Sequence, residues 1–190
     1  MRGKDWSALD DEELAELARE AQEGDMRPFE VLVDRNQGWV RANCRHITRG
    51  KDEEDLSQEV LIKVYFGLRR FQRRSSFKTW VSRIKANHCL NHLRKLRARP
   101  TISDSLDDVP EGRAAVESEA GTGLHADDER RRIAAVLDSM SDTLRVPLVL
   151  RDMDDMAYQE IADLLGVGLS AVKMRIKRAR EDFRLRMEAT

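Results

Sequence analysis

Acidic residues are absent from 44 consecutive positions of this chain, Val60 to Ser103, a block that carries twelve Lys and Arg. A solvated helical face normally mixes charge signs, so such a block calls for a polyanion or an acidic partner, and nucleic acid is the first candidate. Aromatic residues make up only 5% of the 190, and β-branched and aromatic runs of the kind strands favour are few, which argues against a sheet protein. No run approaches the roughly 18 consecutive apolar residues of a membrane span. The polar, acidic stretch Met1 to Asp11 does not read as a secretory signal. The two cysteines, Cys44 and Cys89, lie far apart with no CxxC or zinc spacing, which suits plain helix packing in a reduced cytoplasm. There is no Gly-rich phosphate loop, no HExxH and no Ser/His/Asp arrangement, so catalysis and cofactor binding are not expected. His88 and His92 stand four apart in basic surroundings without a third ligand. They read as polar helix histidines facing DNA or solvent, not as a metal site.

The charge that is present falls into blocks. Met1 to Glu59 holds sixteen acids and nine bases, and Asp104 to Glu129 nine acids against Arg113 alone. From Arg130 onward ten acids face twelve bases, with the bases crowded into the last helix.

Periodicity is helical throughout. Asp10 and Glu13 form a capping-box pattern ahead of Leu14, Leu17, Ala18 and Ala21, and Gly24 offers a stop. Pro28 suits the first turn of a second helix carrying Phe29, Leu32, Val33, Trp39 and Val40. A third helix is expected from about Asp52, with Leu56, Val60, Leu61, Val64, Tyr65 and Leu68 as its apolar stripe. After the polar loop Gln72 to Ser75, a fourth helix is capped by Ser75 or Ser76 and buries Phe77, Trp80, Val81 and Ile84. The expectation is an all-α chain: one helical domain over 1–99, a flexible acidic linker over 100–127 rich in Gly, Ser and Thr, and a second helical domain over 128–190. In the second, Ile133, Val136, Leu137 and Met140 share a face. Tyr158 to Leu165, a turn at Gly166, and a helix capped by Ser170 read as a helix-turn-helix. Val172, Ile176, Ala179, Phe183 and Met187 point inward on that last helix, and Lys173, Arg175, Lys177, Arg178 and Arg180 outward.

Two stretches carry a resemblance to a known family. Asp55-Leu56-Ser57-Gln58-Glu59-Val60, then Phe71, Ser76-Phe77-Lys78-Thr79-Trp80, Arg83-Ile84 and Asn87, resembles region 2 of the extracytoplasmic-function (ECF) bacterial RNA polymerase sigma factors. Arg151-Asp152-Met153, Tyr158 to Ala162, Leu165-Gly166-Val167 and Ser170 to Arg175, with Arg178-Ala179-Arg180, resembles their region 4. The resemblance implies a factor that binds core RNA polymerase and directs promoter recognition and DNA opening. It implies that Asp55, Leu56, Gln58 and Glu59 meet the β′ clamp helices, and that Val146 to Asp152 meets the β flap. Gln72, Arg73, Arg74, Ser75, Ser76 and Asn87 would hold the −10 element, with a flipped base near the loop and Asn87 close to the same pocket. Arg73-Arg74 departs from the commoner acidic or glycine-containing loop. Ser170, Lys173, Met174, Arg175, Lys177 and Arg178 would lie in the major groove at the −35 element. The acidic linker would thread toward the polymerase cleft, an anti-sigma factor would be a further partner, and the free chain would be a monomer. Phe77 and Trp80 could stack on bases, but their spacing with Ile84 favours the core.

Three other classes compete. A response regulator would need an alternating strand-helix receiver, and the N-terminal half shows none. An enzyme finds no motif. A stand-alone helix-turn-helix regulator would dimerise on a palindrome, whereas two unlike DNA-binding units suit a monomer on two promoter elements.

Overall fold

The computed structural model describes residues 6–21, 24–50, 52–98 and 124–189, with side chains from 128 in the last segment. The described residues form eight α-helices and no strand. Most of the expected acidic linker, residues 100–123, lies outside them.

The first domain is built from α1 (Asp11–Glu20), α2 (Arg27–Thr48), α3 (Glu53–Gly67) and α4 (Phe77–Ala98). The capping box at α1 is present: the Glu13 N–H donates to Asp10 Oδ1 at 2.7 Å, and the Asp10 N–H to Glu13 Oε2 at 3.0 Å. Pro28 sits in the first turn of α2, where its missing N–H costs nothing. Ser76 caps α4, accepting from the Thr79 N–H at 3.1 Å. Leu14, Leu32, Val40, Val60, Val64, Phe77 and Val81 fill the core, while Trp80 and Ile84 are only half-buried.

The second domain comprises α5 (Leu124–Ser139), α6 (Asp142–Leu148), α7 (Tyr158–Leu165) and α8 (Leu169–Ala189). Here α5 begins four residues ahead of the expected boundary. Pro147 inside α6 removes a backbone donor, and the chain continues as a π-helical turn, Val149–Met153. The Asp154 N–H closes that turn on the Val149 carbonyl at 3.2 Å, which aims the Asp154 side chain inward. Gly166 ends α7 at φ +66°, a left-handed conformation that favours glycine. Because α8 starts at Leu169, Ser170 lies in its first turn and does not cap it.

The two units do not stand apart, as a flexible linker would have allowed. Buried apolar residues from both belong to one contiguous core, in which α2 packs against α5, α6 and the π-helical turn.

Candidate nucleic-acid interface

The resemblance implies three surfaces, and each is built differently. On α3, Asp55, Gln58 and Glu59 are exposed, but Leu56 is 4% exposed and belongs to the core. Leu56 therefore holds the surface in place and is not part of it. The same face continues into Ile62 and Phe66, at 55% and 70% exposure. The sequence reading missed both, although their signal was legible: they fall off the buried stripe of α3 at four-residue spacing from Gln58. Carboxylates at the N-terminal end of α3 also complement its dipole.

The surface expected for the −10 element combines the loop before α4 with that helix. Gln72, Arg73, Arg74 and Ser76 are exposed and Ser75 is half-buried. Arg73 takes a left-handed backbone, φ +52°, and its guanidinium donates to Glu16 Oε2 at 3.0 Å. The loop rests on an aromatic cluster. Phe71 and Phe77 meet edge-on at 5.8 Å between centroids, and Trp80 lies 5.1 Å from Phe71. These rings are support for the loop, in line with the spacing argument. Asn87 is exposed and donates to the Arg83 carbonyl of its own helix at 2.9 Å. Eleven residues after Ser76, it shares that residue's face but lies about 16 Å along the axis. Asn87 and Ser76 thus stand at the two ends of one polar stripe of α4.

On α8, Lys173, Met174, Lys177 and Arg178 are exposed and Arg175 is half-buried, while Val172, Ile176 and Ala179 face inward. Ser170 is exposed in the first turn. Arg180 is engaged: its Nε and Nη2 donate to the two oxygens of Asp152 at 2.9 and 2.6 Å. That bidentate pair raises the guanidinium pKa and takes Arg180 out of the free basic face. In the Val146–Asp152 segment, Val146, Leu148, Val149 and Leu150 are buried, so only Arg151 and Asp152 reach the surface.

The histidines of α4 are turned toward α3. His88 Nε2 lies 2.8 Å from Glu59, and His92 Nε2 3.4 Å from Asp52, so both face α3 and its acids. Burial lowers the His88 pKa against the pull of Glu59. Cys44 and Cys89 are fully buried with their sulfurs 3.5 Å apart, consistent with packing. Among the described residues no group of three or more His, Cys, Asp or Glu could hold a metal. No described helix is long and apolar enough to cross a membrane.

Residues 32–99 match Sigma-70 region 2, and residues 130–183 match Sigma-70, region 4. The ECF RNA polymerase sigma-E factor of Escherichia coli (strain K12) is 33% identical over 170 residues, covering 87% of this chain and 89% of that protein. The factor of the same name from Haemophilus influenzae is 30% identical over 175 residues, covering 87% and 90%. CnrH, solved in complex with the cytosolic domain of CnrY, superposes with a TM-score of 0.57 at 25% identity, covering 94% of this chain and 97% of that one. The sigma factor RpoE from Bartonella quintana, solved with the anti-sigma factor NepR, superposes with the same TM-score of 0.57 at 19% identity, covering 84% and 96%, a likeness of fold. With both regions in order and a third of the residues shared along nearly the whole of a sigma-E factor, the chain belongs to the ECF sigma factors and serves RNA polymerase in promoter recognition.

Proposed function

We propose that the chain docks on core polymerase through α3, opens the −10 element with the loop and outer face of α4, and reads the −35 element with α8. The exposed face of α3 carries this reading. It grades from Asp55, Gln58 and Glu59 into the bare side chains of Ile62 and Phe66, a charged rim beside an apolar anchor. Isolated exposed apolar residues are ordinary, but a large ring at 70% exposure, one turn from the exposed Ile62 and two turns from Glu59 on the same helix, suits a partner with apolar groups beside basic ones. The partner is the β′ clamp of core polymerase. Arg151 and Asp152 are what the second domain offers to the β flap from the segment assigned to it.

On DNA, Arg74 holds a phosphate, and Arg73 does so by exchanging its exposed pair with Glu16 for the phosphate, while Gln72, Ser75 and Ser76 meet a displaced base. Asn87 contacts the strand about 16 Å further along. In the major groove, Arg175 and Arg178 are suited to guanine edges, Lys173 and Lys177 to phosphate, Met174 to an apolar base edge, and Ser170 to the backbone at the helix start. The chain works in the cytoplasm, without catalysis or cofactor, as a monomer regulated by an anti-sigma factor, as NepR accompanies the Bartonella quintana RpoE. The acidic linker occupies the polymerase's basic cleft until RNA displaces it. The domains run over 1–99 and, given where α5 starts, from about 124 to the end.

The test is the affinity of purified core polymerase for the chain and for Phe66→Glu. Phe66 is largely solvent-exposed, so the variant keeps its helix content and thermal midpoint. Affinity for core falls by about 2 kcal/mol, as at an interface anchor. Unchanged affinity would remove α3 from the docking surface.

A further inference from the structure

The loop before α4 is held from outside. Arg73, near its middle, takes φ +52°, a backbone that a residue with a side chain keeps only where its surroundings impose it. Those surroundings are α1. Arg19 donates to the Phe71 carbonyl at 3.3 Å, the Arg73 guanidinium donates to Glu16 Oε2 at 3.0 Å, and the Phe77 N–H donates to Glu12 Oε1 at 2.8 Å. Positions 12, 16 and 19 are spaced four and three, so one face of α1 grips the loop at its start, its middle and its end. The first turn of α4 is thereby capped twice, by Ser76 on the Thr79 N–H and by Glu12 on the Phe77 N–H.

The charge of α1 makes this grip unexpected. The helix carries five acids, Asp11, Glu12, Glu13, Glu16 and Glu20, with Arg19 as its one base. Beside a loop assigned to a nucleic-acid strand, carboxylates repel the strand unless they are already engaged. Three of them are: Glu13 closes the capping box with Asp10, Asp11 lies 3.1 Å from Arg35, and Glu12 is on the backbone of α4. Glu16 differs, because both its partners are guanidinium groups, Arg73 at 3.0 Å and Arg19 at 3.6 Å. The side chains of Arg73 and Glu16 are 46% and 41% exposed, so a phosphate can reach the pair. An exposed ion pair of this kind is weak, and phosphate offers a guanidinium the same acceptor geometry as a carboxylate.

We propose that α1 is part of the −10 site: Glu12 and Arg19 are positioning residues that set the loop for base capture, and Glu16 stands in for a phosphate on Arg73 until the promoter strand displaces it. This rests on the assignment of the loop to the −10 element. The exchange subtracts from the phosphate binding of every strand alike and keeps non-specific binding weak. The held loop supplies the discrimination between bases.

The test uses the full chain bound to core polymerase. The probes are four fluorescent single-stranded oligonucleotides with the −10 sequence of a promoter that this holoenzyme transcribes, differing only at the base on which binding depends most. Glu16→Gln binds all four about 3- to 5-fold more tightly, because Arg73 no longer has to leave a carboxylate. In an Arg73→Gln background the same substitution changes nothing. Glu12→Ala lowers the preference for the cognate base by about 5- to 10-fold, and Glu12→Gln, whose side-chain oxygen still accepts the Phe77 N–H, restores it. Hydrogen exchange of the free chain reads the grip without DNA: the loop amides exchange faster in Glu12→Ala and at the wild-type rate in Glu12→Gln. Unchanged or weaker binding by Glu16→Gln, an equal gain in the Arg73→Gln background, or an undiminished preference or unaltered exchange in Glu12→Ala would each overturn the proposal. A wild-type holoenzyme with no preference among the four oligonucleotides would count against the −10 reading, while the exchange rates would still report the hold of α1 on the loop.

Discussion

His46 gives the stability of this chain a pH dependence that can be worked from the structure. It lies on α2 against the second domain, is 9% exposed, and has Arg45 and Arg145 for neighbours. Burial, then the two guanidinium groups, lowers its pKa from 6.5 to about 4. A base with a depressed folded pKa binds fewer protons folded than unfolded. Its contribution to stability is therefore fully present above the unfolded pKa and declines as pH falls toward the folded value. Between pH 7.5 and pH 5.0 the loss from this one group is about 2 kcal/mol. At a denaturant slope of about 2 kcal/mol/M, that is about 1 M in urea midpoint. His46→Gln keeps the volume and polarity but cannot titrate. Whatever its stability at pH 7.5, its midpoint should fall by about 1 M less than the wild type's on going to pH 5.0. Equal losses in the two proteins would show that His46 is not held neutral by the domain contact.

Two further outcomes follow from packing and from the α8 surface. Phe77→Ala removes a fully buried ring that holds Phe71 and Trp80 beneath the −10 loop, and should cost about 3–5 kcal/mol in chemical denaturation. Arg175→Ala and Lys177→Ala should differ in kind when duplexes carrying −35 variants are titrated with holoenzyme. The first relaxes discrimination at one base pair by about 1–3 kcal/mol, whereas the second weakens all duplexes alike and lowers the salt slope by about 1.

The helices were legible because their signals are local. The Asp10–Glu13 box, Pro28 and Gly166 each act within one turn of the residues they organise, and the three-and-four spacing of Val172, Ile176 and Ala179 places them inward without tertiary information. Leu56 and Lys85 were misleading for a common reason. A motif position carries no statement of which face a neighbouring element will cover. Lys85 reads as one more base in a basic block, and only a carboxylate 69 positions away shows it to be buried. The π-helical turn that aims Asp154 inward has no local sequence signal: Pro147 removes a bond to the carbonyl four residues before it, and the turn closes after it, on Val149. The union of the two domains was hidden likewise, since an acidic linker composition says nothing about whether the units it joins have complementary surfaces. Ile62 and Phe66, by contrast, could have been found: apolar residues off the buried stripe of an amphipathic helix call for a partner.

Run-off transcription with purified core polymerase on a promoter library, with and without the chain, tests the central claim most directly. Transcripts that start only when the chain is present, and whose templates share two upstream elements, are the predicted result. Tight binding to duplex DNA by the chain alone, with no binding to core and no transcripts, would contradict it and make the protein a stand-alone helix-turn-helix regulator.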